Sequence, residues 1–435
     1  MMLGPVLRPG QAPGLLPQRL AVVSHSHPSI SKGGAEITAY ALYRGLRDVG
    51  VDAIFVGACS VADRGRLSLG SASEFAVFVE PERYDHFFHL APRGVSEQLV
   101  DILLRERIGL VSFHHFFNLG LNTLRAARSL PGLAAFLTLH EFLAICQNHG
   151  QMITRQTQSL CERATNESCV ACFPEHMRSQ FTLRRDTMLG AFGRFEGFVS
   201  PSRFLAERFI EWGLPPERTT VIENGLLSPP QAGPPRKNEA SRTFGFFGQI
   251  NPFKGVDVLL DAADLVARDP ALSASLRLRI HGNLVGQSEA FTKRFEEALK
   301  VYPFLSYAGP YNNASVHRLM GECDYVVIPS KWWENSPVVI QEAYSVGVPV
   351  ICTGIGGMAE KVRDGVTGLH FRLGDAADLL RAMRIGVDPR NAAHLRAGLP
   401  AAPNALDMAE RYLAFFGSAL AGRRAAAARD AGIAA

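Results

Sequence analysis

The chain has 435 residues, 47% of them apolar and 20% charged, more than one hydrophobic core organises, so two domains are predicted. A net charge of +4 with dispersed basic residues excludes the electrostatic footprint of a nucleic-acid-binding protein. The uncharged stretch from Ala343 to Ala359 is interrupted by Pro349 and several glycines, so no membrane span is predicted and a soluble or peripheral protein is expected.

Residues 1–17, rich in Pro and Gly and without a basic region followed by an apolar one, read as a disordered leader rather than a signal peptide. An amino-terminal domain is predicted over 18–226. In it "RLAVVSH" is a buried strand, "GGAEITAYALYRGLRDVG" a helix with apolar spacings of three and four, and "VDAIFVGA" the next strand, which together make a βαβ unit. Strands follow at "LVSFHHF", "AAFLTLH", "GFVSPS" and "TTVIEN", with helices at "SEQLVDILLRERIG" and "SRFLAERFIEWG" between them. This alternation implies parallel strands in an α/β domain. A Cys-rich, polar, helix-poor insertion is expected at about 146–176.

The pattern stops over 227–241, which carries four prolines and reads as an interdomain linker. It restarts in a carboxyl-terminal domain, predicted over 242–404, with strands at "TFGFFGQI", "LRLRIHGN", "LSYAGPY", "DYVVIPS" and "PVICTG". Helices are expected at Val256–Arg268, Glu289–Tyr302, Ala314–Gly321 and Pro337–Gly347. The last segment, 405–435, holds a helix and an Ala/Arg-rich end expected to fray. Two Rossmann-like, doubly wound halves facing across a cleft is the architecture these elements imply, with ligand at the carboxyl ends of the strands.

"KWWENSPVVIQEAYSVGVPV" places Glu334 in a loop after a strand and Glu342 on the helix that follows. Both carboxylates can reach one ligand near the helix start, where the N–H groups of Asn335, Ser336 and Val338 are expected as helix-start donors to phosphate or hydroxyl oxygens. Carboxylates accept from vicinal hydroxyls but repel a diphosphate, so they are assigned to sugar and ribose. Gly33 and Gly34 fall at the first strand-to-helix turn, and Gly356 with Gly357 repeats the arrangement in the second half. Two such turns suit a diphosphate, although many glycine pairs at βα turns serve packing alone.

The run from Phe244 to Phe371, "FGQINPFKGVDVLLDAADLV", "YAGPYNN" and "VVIPSKWWENSPVVIQEAYSVGVPVICTGIGGMAEKVRDGVTGLHF", resembles the donor domain of a family 4 glycosyltransferase of the GT-B fold. "SHPSISKGGAEITAYALYRGLRDVG" is similar to the glycine loop that opens such enzymes, so the resemblance covers most of 20–375. It implies a retaining transferase that takes a nucleotide-sugar donor, needs no metal for catalysis, and builds polysaccharide or lipopolysaccharide on a glycan or lipid-linked acceptor. Carried over, Glu334 resembles the residue on the donor sugar hydroxyls, Glu342 the ribose partner, Lys254 the diphosphate clamp and His140 the cleft histidine near the reacting sugar. The family commonly has Arg in a "GR" pair before that lysine, and Gln249 stands here instead. The resemblance also implies that the final helix crosses back to the first domain.

His25, His27, His114 and His115 join His140 at or near strand ends of the first half. They read either as an acceptor-side rim or as strand-end packing. Cys146, Cys161, Cys169 and Cys172 read either as a structural zinc site, with His149 and His176 as spare ligands, or as ordinary reduced thiols. Between His176 and Arg208, six arginines share a stretch with Phe181, Phe192, Phe195, Phe198 and Phe204, a composition that suits a basic, aromatic face on anionic lipid. A cytoplasmic location, at the inner face of the plasma membrane, is the expectation that follows. Two other classes share this shape: a sugar-nucleotide epimerase, and a non-catalytic sugar-nucleotide-binding module.

Overall fold

The computed structural model describes residues 16–227 and 242–433. The leader, apart from Leu16 and Pro17, and the linker, apart from Leu227, lie outside the described residues. The chain forms two compact units: one holds the described residues up to Leu227 and from Pro403 onward, the other those between.

The first unit carries seven parallel strands: β1 (Arg19–Ser24), β2 (Asp52–Ser60), β3 (Glu74–Val79), β4 (Leu110–Phe113), β5 (Ala134–Thr138), β6 (Gly197–Ser200) and β7 (Thr219–Val221). Their order is β3-β2-β1-β4-β5-β6-β7, which reverses direction between β1 and β4. Every residue of β4, β5 and β6 is buried, as a parallel sheet covered on both faces requires.

The second unit has six parallel strands: β8 (Arg242–Phe247), β9 (Leu276–His281), β10 (Leu305–Gly309), β11 (Tyr325–Ile328), β12 (Val350–Thr353) and β13 (Gly368–Phe371). They run in the order β10-β9-β8-β11-β12-β13, reversing between β8 and β11. The halves are thus doubly wound, and each has one strand-order reversal where a crevice opens at the carboxyl ends.

The C-terminal helix Ala405–Ile433 belongs to the first unit, as the resemblance implied. Its Met408, Ala409, Tyr412 and Phe416, spaced along one face, enter the core formed with Leu42, Leu46, Phe55 and Phe136. Burial contributes roughly 1.5–3 kcal/mol for each large side chain. Gly45 on helix Gly34–Asp48 makes the approach possible, because a Cβ there would stand 2.1 Å from the carbonyl oxygen of Ala405. The helix runs through the Ala/Arg-rich segment to Ile433, in keeping with the high helix propensity of its alanines.

Two strands escaped the sequence reading, β3 and β13, both at sheet edges. The insertion is also less irregular than expected. Helix Asn166–Cys172 forms there, started by a capping box in which Thr165 and Ser168 satisfy each other's backbone N–H groups.

Candidate active site

In the second unit the residues singled out from sequence converge at the strand-order reversal. Gln249 and Lys254 follow β8; Ser330, Trp332 and Glu334 follow β11. Gly255 turns the chain from this loop into helix Val256–Ala267 with φ of 74°, and a Cβ on it would lie 1.8 Å from the Pro329 carbonyl oxygen. Only glycine lets the two loops meet so closely. The backbone N–H of Lys331 then donates to the carbonyl of Phe253 at 2.8 Å, and Phe253 stacks on Trp332.

That junction delivers Lys254 Nζ to 2.6 Å from Glu334 Oε1. The same oxygen accepts from Ser330 Oγ and from Trp332 Nε1, each at 2.8 Å, and the Lys254 ammonium sits 5.0 Å from the Trp332 ring centroid. Burial alone would raise the Glu334 carboxyl, but Lys254 and the three hydrogen bonds hold it below the usual carboxylate range. A desolvated ion pair of this kind is a charge store: its partners exchange for those of a ligand without first being stripped of water.

Pro337 caps helix Val338–Ser345, with Asn335 and Ser336 in the turn before it. Ser336 Oγ is buried and has no partner. Glu342 lies in the second turn, and its carboxylate has no hydrogen-bond or ion-pair partner among the described residues. Burial pushes it up to about 7, and it in turn raises the nearby Tyr311 phenol, already raised by burial. Gly356 and Gly357 open the short helix after β12, and the Gly357 N–H donates to the Glu334 carbonyl at 2.8 Å, which ties that turn to the Glu334 loop. Gln249 is exposed, with only a 3.5 Å contact from the Asn251 amide.

The first unit gathers histidines at its own reversal, after β1, β4 and β5. His25 Nε2 is 3.5 Å from Glu36 Oε1, which also accepts from Ser31 Oγ at 2.6 Å. The His25 and His115 rings lie 4.6 Å apart, and His115 Nε2 is 2.8 Å from Glu141 Oε1. His115 has φ of 140°, and its Nδ1 accepts the N–H groups of Phe116 and Phe117 at 3.0 and 2.9 Å. Its ring proton is therefore on Nε2, donated to Glu141. His114 Nδ1 meets His140 Nε2 at 3.1 Å. Burial lowers His114 to about 3, and burial with the neighbouring His114, His115 and His25 holds His140 well below its ordinary value. Four of the five histidines thus form one cluster.

His27 is the exception. It turns toward β2 and β3, bonds Glu74 at 3.3 Å and Ser29 at 2.8 Å, and packs edge-on against Phe55. Its place is structural. Gly33 and Gly34 stand exposed at the start of helix Gly34–Asp48, as expected. Glu36 and Glu141 were not singled out from sequence, though one sits in the first turn after Gly33 and the other beside His140.

In the insertion Cys146, Cys161, Cys169 and Cys172 form no disulfide, and Cys146, Cys161 and Cys172 lie near enough to raise the Cys169 thiol beyond the effect of burial, while among the described residues no group of three or more His, Cys, Asp or Glu side chains is arranged to hold a metal ion. Cys172 Sγ instead accepts the Arg155 N–H at 3.3 Å. Arg184, buried to 3% exposure, holds the chain that enters the segment: its guanidinium donates to the carbonyls of Phe87, Leu143 and Ala144 and to the side chain of Gln147, while within the segment Gln156 donates to the carbonyls of Ala171 and Cys172. Nor is there a basic, aromatic face: Phe181, Phe192, Phe195 and Phe198 are core residues, while Arg178, Arg185 and Arg194 point outward. Among the described residues no helix is long and apolar enough to cross a membrane.

Comparison with known proteins bears on both units. Residues 32–226 match the model of Glycosyltransferase Family 4, and residues 241–385 match that of Glycosyl transferases group 1. The fold superposes on the Anabaena protein HepE in complex with UDP, with a TM-score of 0.66 over 92% of this chain and all of that one, at 18% identity. The chain has the two-domain GT-B fold. Sucrose-phosphate synthase from Thermosynechococcus elongatus has the same fold, with a TM-score of 0.66 at 17% identity, covering 92% of this chain and 100% of the other. In sequence, the chain is 30% identical over 186 residues to the D-inositol 3-phosphate glycosyltransferase of Geodermatophilus obscurus, covering 40% of this chain and 41% of that protein. It is 27% identical over 186 residues to the lipopolysaccharide 1,2-N-acetylglucosaminetransferase of Salmonella typhimurium, covering 40% and 48%. The chain thus aligns with less than half the length of these curated relatives.

Proposed function

We propose that the chain transfers a sugar from a nucleotide-sugar donor to a hydroxyl of a glycan or glycolipid acceptor, with retention at the anomeric carbon, in polysaccharide or lipopolysaccharide assembly. The observation that carries this reading is the partly buried Lys254–Glu334 ion pair beside the unpartnered Glu342 carboxylate, at the strand-order reversal of a GT-B domain. HepE holding UDP, and relatives named for sugar transfer to an inositol phosphate and to lipopolysaccharide, support the donor and acceptor classes.

On this reading the donor diphosphate draws Lys254 from Glu334, whose carboxylate then takes up sugar hydroxyls and faces the positive charge that develops at the anomeric carbon. Glu342 accepts from the ribose hydroxyls, and N–H groups at the start of helix Val338–Ser345 receive oxygens of the donor. On this reading Glu334 is occupied by the sugar hydroxyls and stabilises charge without forming a covalent bond, and the reaction proceeds on one face. The bond from the anomeric carbon to the phosphate oxygen breaks, the bond to the acceptor oxygen forms, and the leaving phosphate takes the acceptor proton. Lys254 supplies the stabilising charge, so no metal ion is needed for this step.

The test is incubation with a panel of sugar nucleotides, reading nucleoside diphosphate release with and without glycan or glycolipid acceptors. Acceptor-dependent release supports transfer. An epimerised donor points to an epimerase, and tight donor binding without turnover to a binding module. A product with inverted anomeric configuration ends the single-face mechanism.

A further inference from the structure

His114 and His140 leave the ends of the paired strands β4 and β5, and a 3.1 Å contact joins Nδ1 of the first to Nε2 of the second. Two neutral imidazoles share one proton across such a bond, and its direction fixes what His140 is able to do. The other nitrogen of His114, Nε2, is buried and without a partner. A proton there would leave an orphaned N–H donor, a rarer and costlier state than a buried lone pair. The proton therefore resides on Nδ1 of His114 and is donated to His140.

A residue from the far end of the chain holds this arrangement. The His114 ring lies against Tyr412 of the C-terminal helix, with centroids 6.0 Å apart and planes at 17°. The Tyr412 hydroxyl bonds Thr138 Oγ1 at 3.1 Å, two residues before His140. His114, Thr138 and Tyr412 are all buried, so neither the ring stack nor the hydroxyl bond competes with water.

We propose that His114 and Tyr412 are positioning residues that lock His140 as its Nδ1–H tautomer, with its ring lone pair on Nε2 already taken by His114. His140 then orients substrate and is not a proton-accepting base, which leaves the leaving phosphate as the acceptor of the hydroxyl proton. The inference deepens the proposed function and rests on it only for its kinetic consequence. Ionisable groups that act on His140 include His114 and His115 from the end of β4 and His25 from the end of β1. Behind them stand Glu36, Glu141 and the Tyr412 hydroxyl.

The first experiment is nitrogen NMR of the full chain carrying 15N-labelled histidine, followed between about pH 5.5 and 8. Both rings are expected to show a protonated Nδ1, an unprotonated Nε2 and no titration; a protonated Nε2 on His140 overturns the proposal. Two variants then separate positioning from folding. His114→Phe keeps a ring against Tyr412 but donates nothing, and Tyr412→Phe keeps the stack but loses the hydroxyl. The His140 signal is expected to change tautomer or begin to titrate in the first and to shift in the second. Transfer by His114→Phe should fall about tenfold in kcat with donor KM within about twofold, and should gain an acid limb in its pH profile. An unchanged His140 signal in both variants overturns the proposal. If the wild-type chain transfers no sugar from any donor, the functional reading fails, while the NMR result still judges the tautomer.

Discussion

The two units place their chemistry at the same point of the same topology and give it opposite electrostatics. In the first, four histidines gather after β1, β4 and β5, and burial keeps His114, His140 and His25 uncharged. In the second, Lys254 and Glu334 face each other as ions, and Glu342 stands near its titration midpoint at neutral pH. The sheet determines where a site forms; the residues that follow each strand determine whether it is neutral and rigid or charged and ready to exchange partners. A neutral side suits hydroxyl groups, and a charged side suits a diphosphate whose charge grows as the sugar leaves.

The sharpest way to break this contrast is to remove the cation. Lys254→Met leaves Glu334 buried beside Ser330 and Trp332 with no counter-charge. It also strips the leaving group of its stabilising ammonium. Diphosphate release should fall at least about a hundredfold in kcat/KM, as loss of a charge-assisted contact of about 3 kcal/mol requires. A variant that melts like wild type and retains its rate would show that the ion pair is only a loop fastener.

The two glutamates should then fail differently. Glu334→Gln keeps the size but loses the charge that faces the transition state, so kcat should drop about tenfold to a hundredfold. Glu342→Gln removes a contact present in ground and transition states alike, so donor KM should rise about tenfold at pH 8 with kcat held. Identical losses in both would dissolve the division between sugar and ribose.

Titration sharpens the comparison further. Burial raises Glu342 to about 7, so its carboxylate is protonated below that pH and ionised above it. If the ionised form accepts the ribose hydroxyls, donor binding is full at pH 8 and declines as pH falls through 7, by about tenfold at pH 6. Glu342→Gln should remove that dependence. His25, His114 and His140 add no limb of their own, because burial keeps them neutral over this range. Calorimetric donor titrations at both pH values, in wild type and variant, provide the check.

Much of this was legible in the sequence because the strongest signals were local. Buried strands such as β1 and β12 are continuous apolar runs, and the loop from Ser330 to Pro337 between a strand and a helix marks Glu334 whatever surrounds it. What was missed depends on direction in space. The edge strands β3 and β13 differ in this: β13 has only four residues, whereas β3 is as long as β1 but is only partly buried along its length and lacks the continuous buried run. His27 shares a strand end with His25 but points to Glu74, and no spacing foretells that. Glu36 and Glu141 acquire meaning only when His25 and His115 arrive from other strands. Counting phenylalanines near arginines said nothing of facing: Phe192, Phe195 and Phe198 are all turned into the core. The cysteine spacing did foretell nearness, since Cys146, Cys161 and Cys172 all act on the Cys169 thiol, but not the buried Arg184 that holds the chain just before the insertion.

The smallest effect tests the one place where the charged side is weaker than the resemblance implied. Gln249 follows β8 on the same loop as Lys254, and its side chain is exposed. Gln249→Arg would add a second cation near the diphosphate without disturbing the Lys254–Glu334 pair. Exposure limits the gain, because water and salt screen such a charge to about 0.5–1 kcal/mol, or roughly twofold to fivefold in donor affinity. The improvement should shrink as ionic strength rises, since screening acts on the added charge and less on the partly buried pair. Donor affinities measured at low and high salt would separate the two. An arginine that weakens binding at both would mean that Gln249 touches the donor through its amide, and that this chain has exchanged a charge for a hydrogen bond at that position.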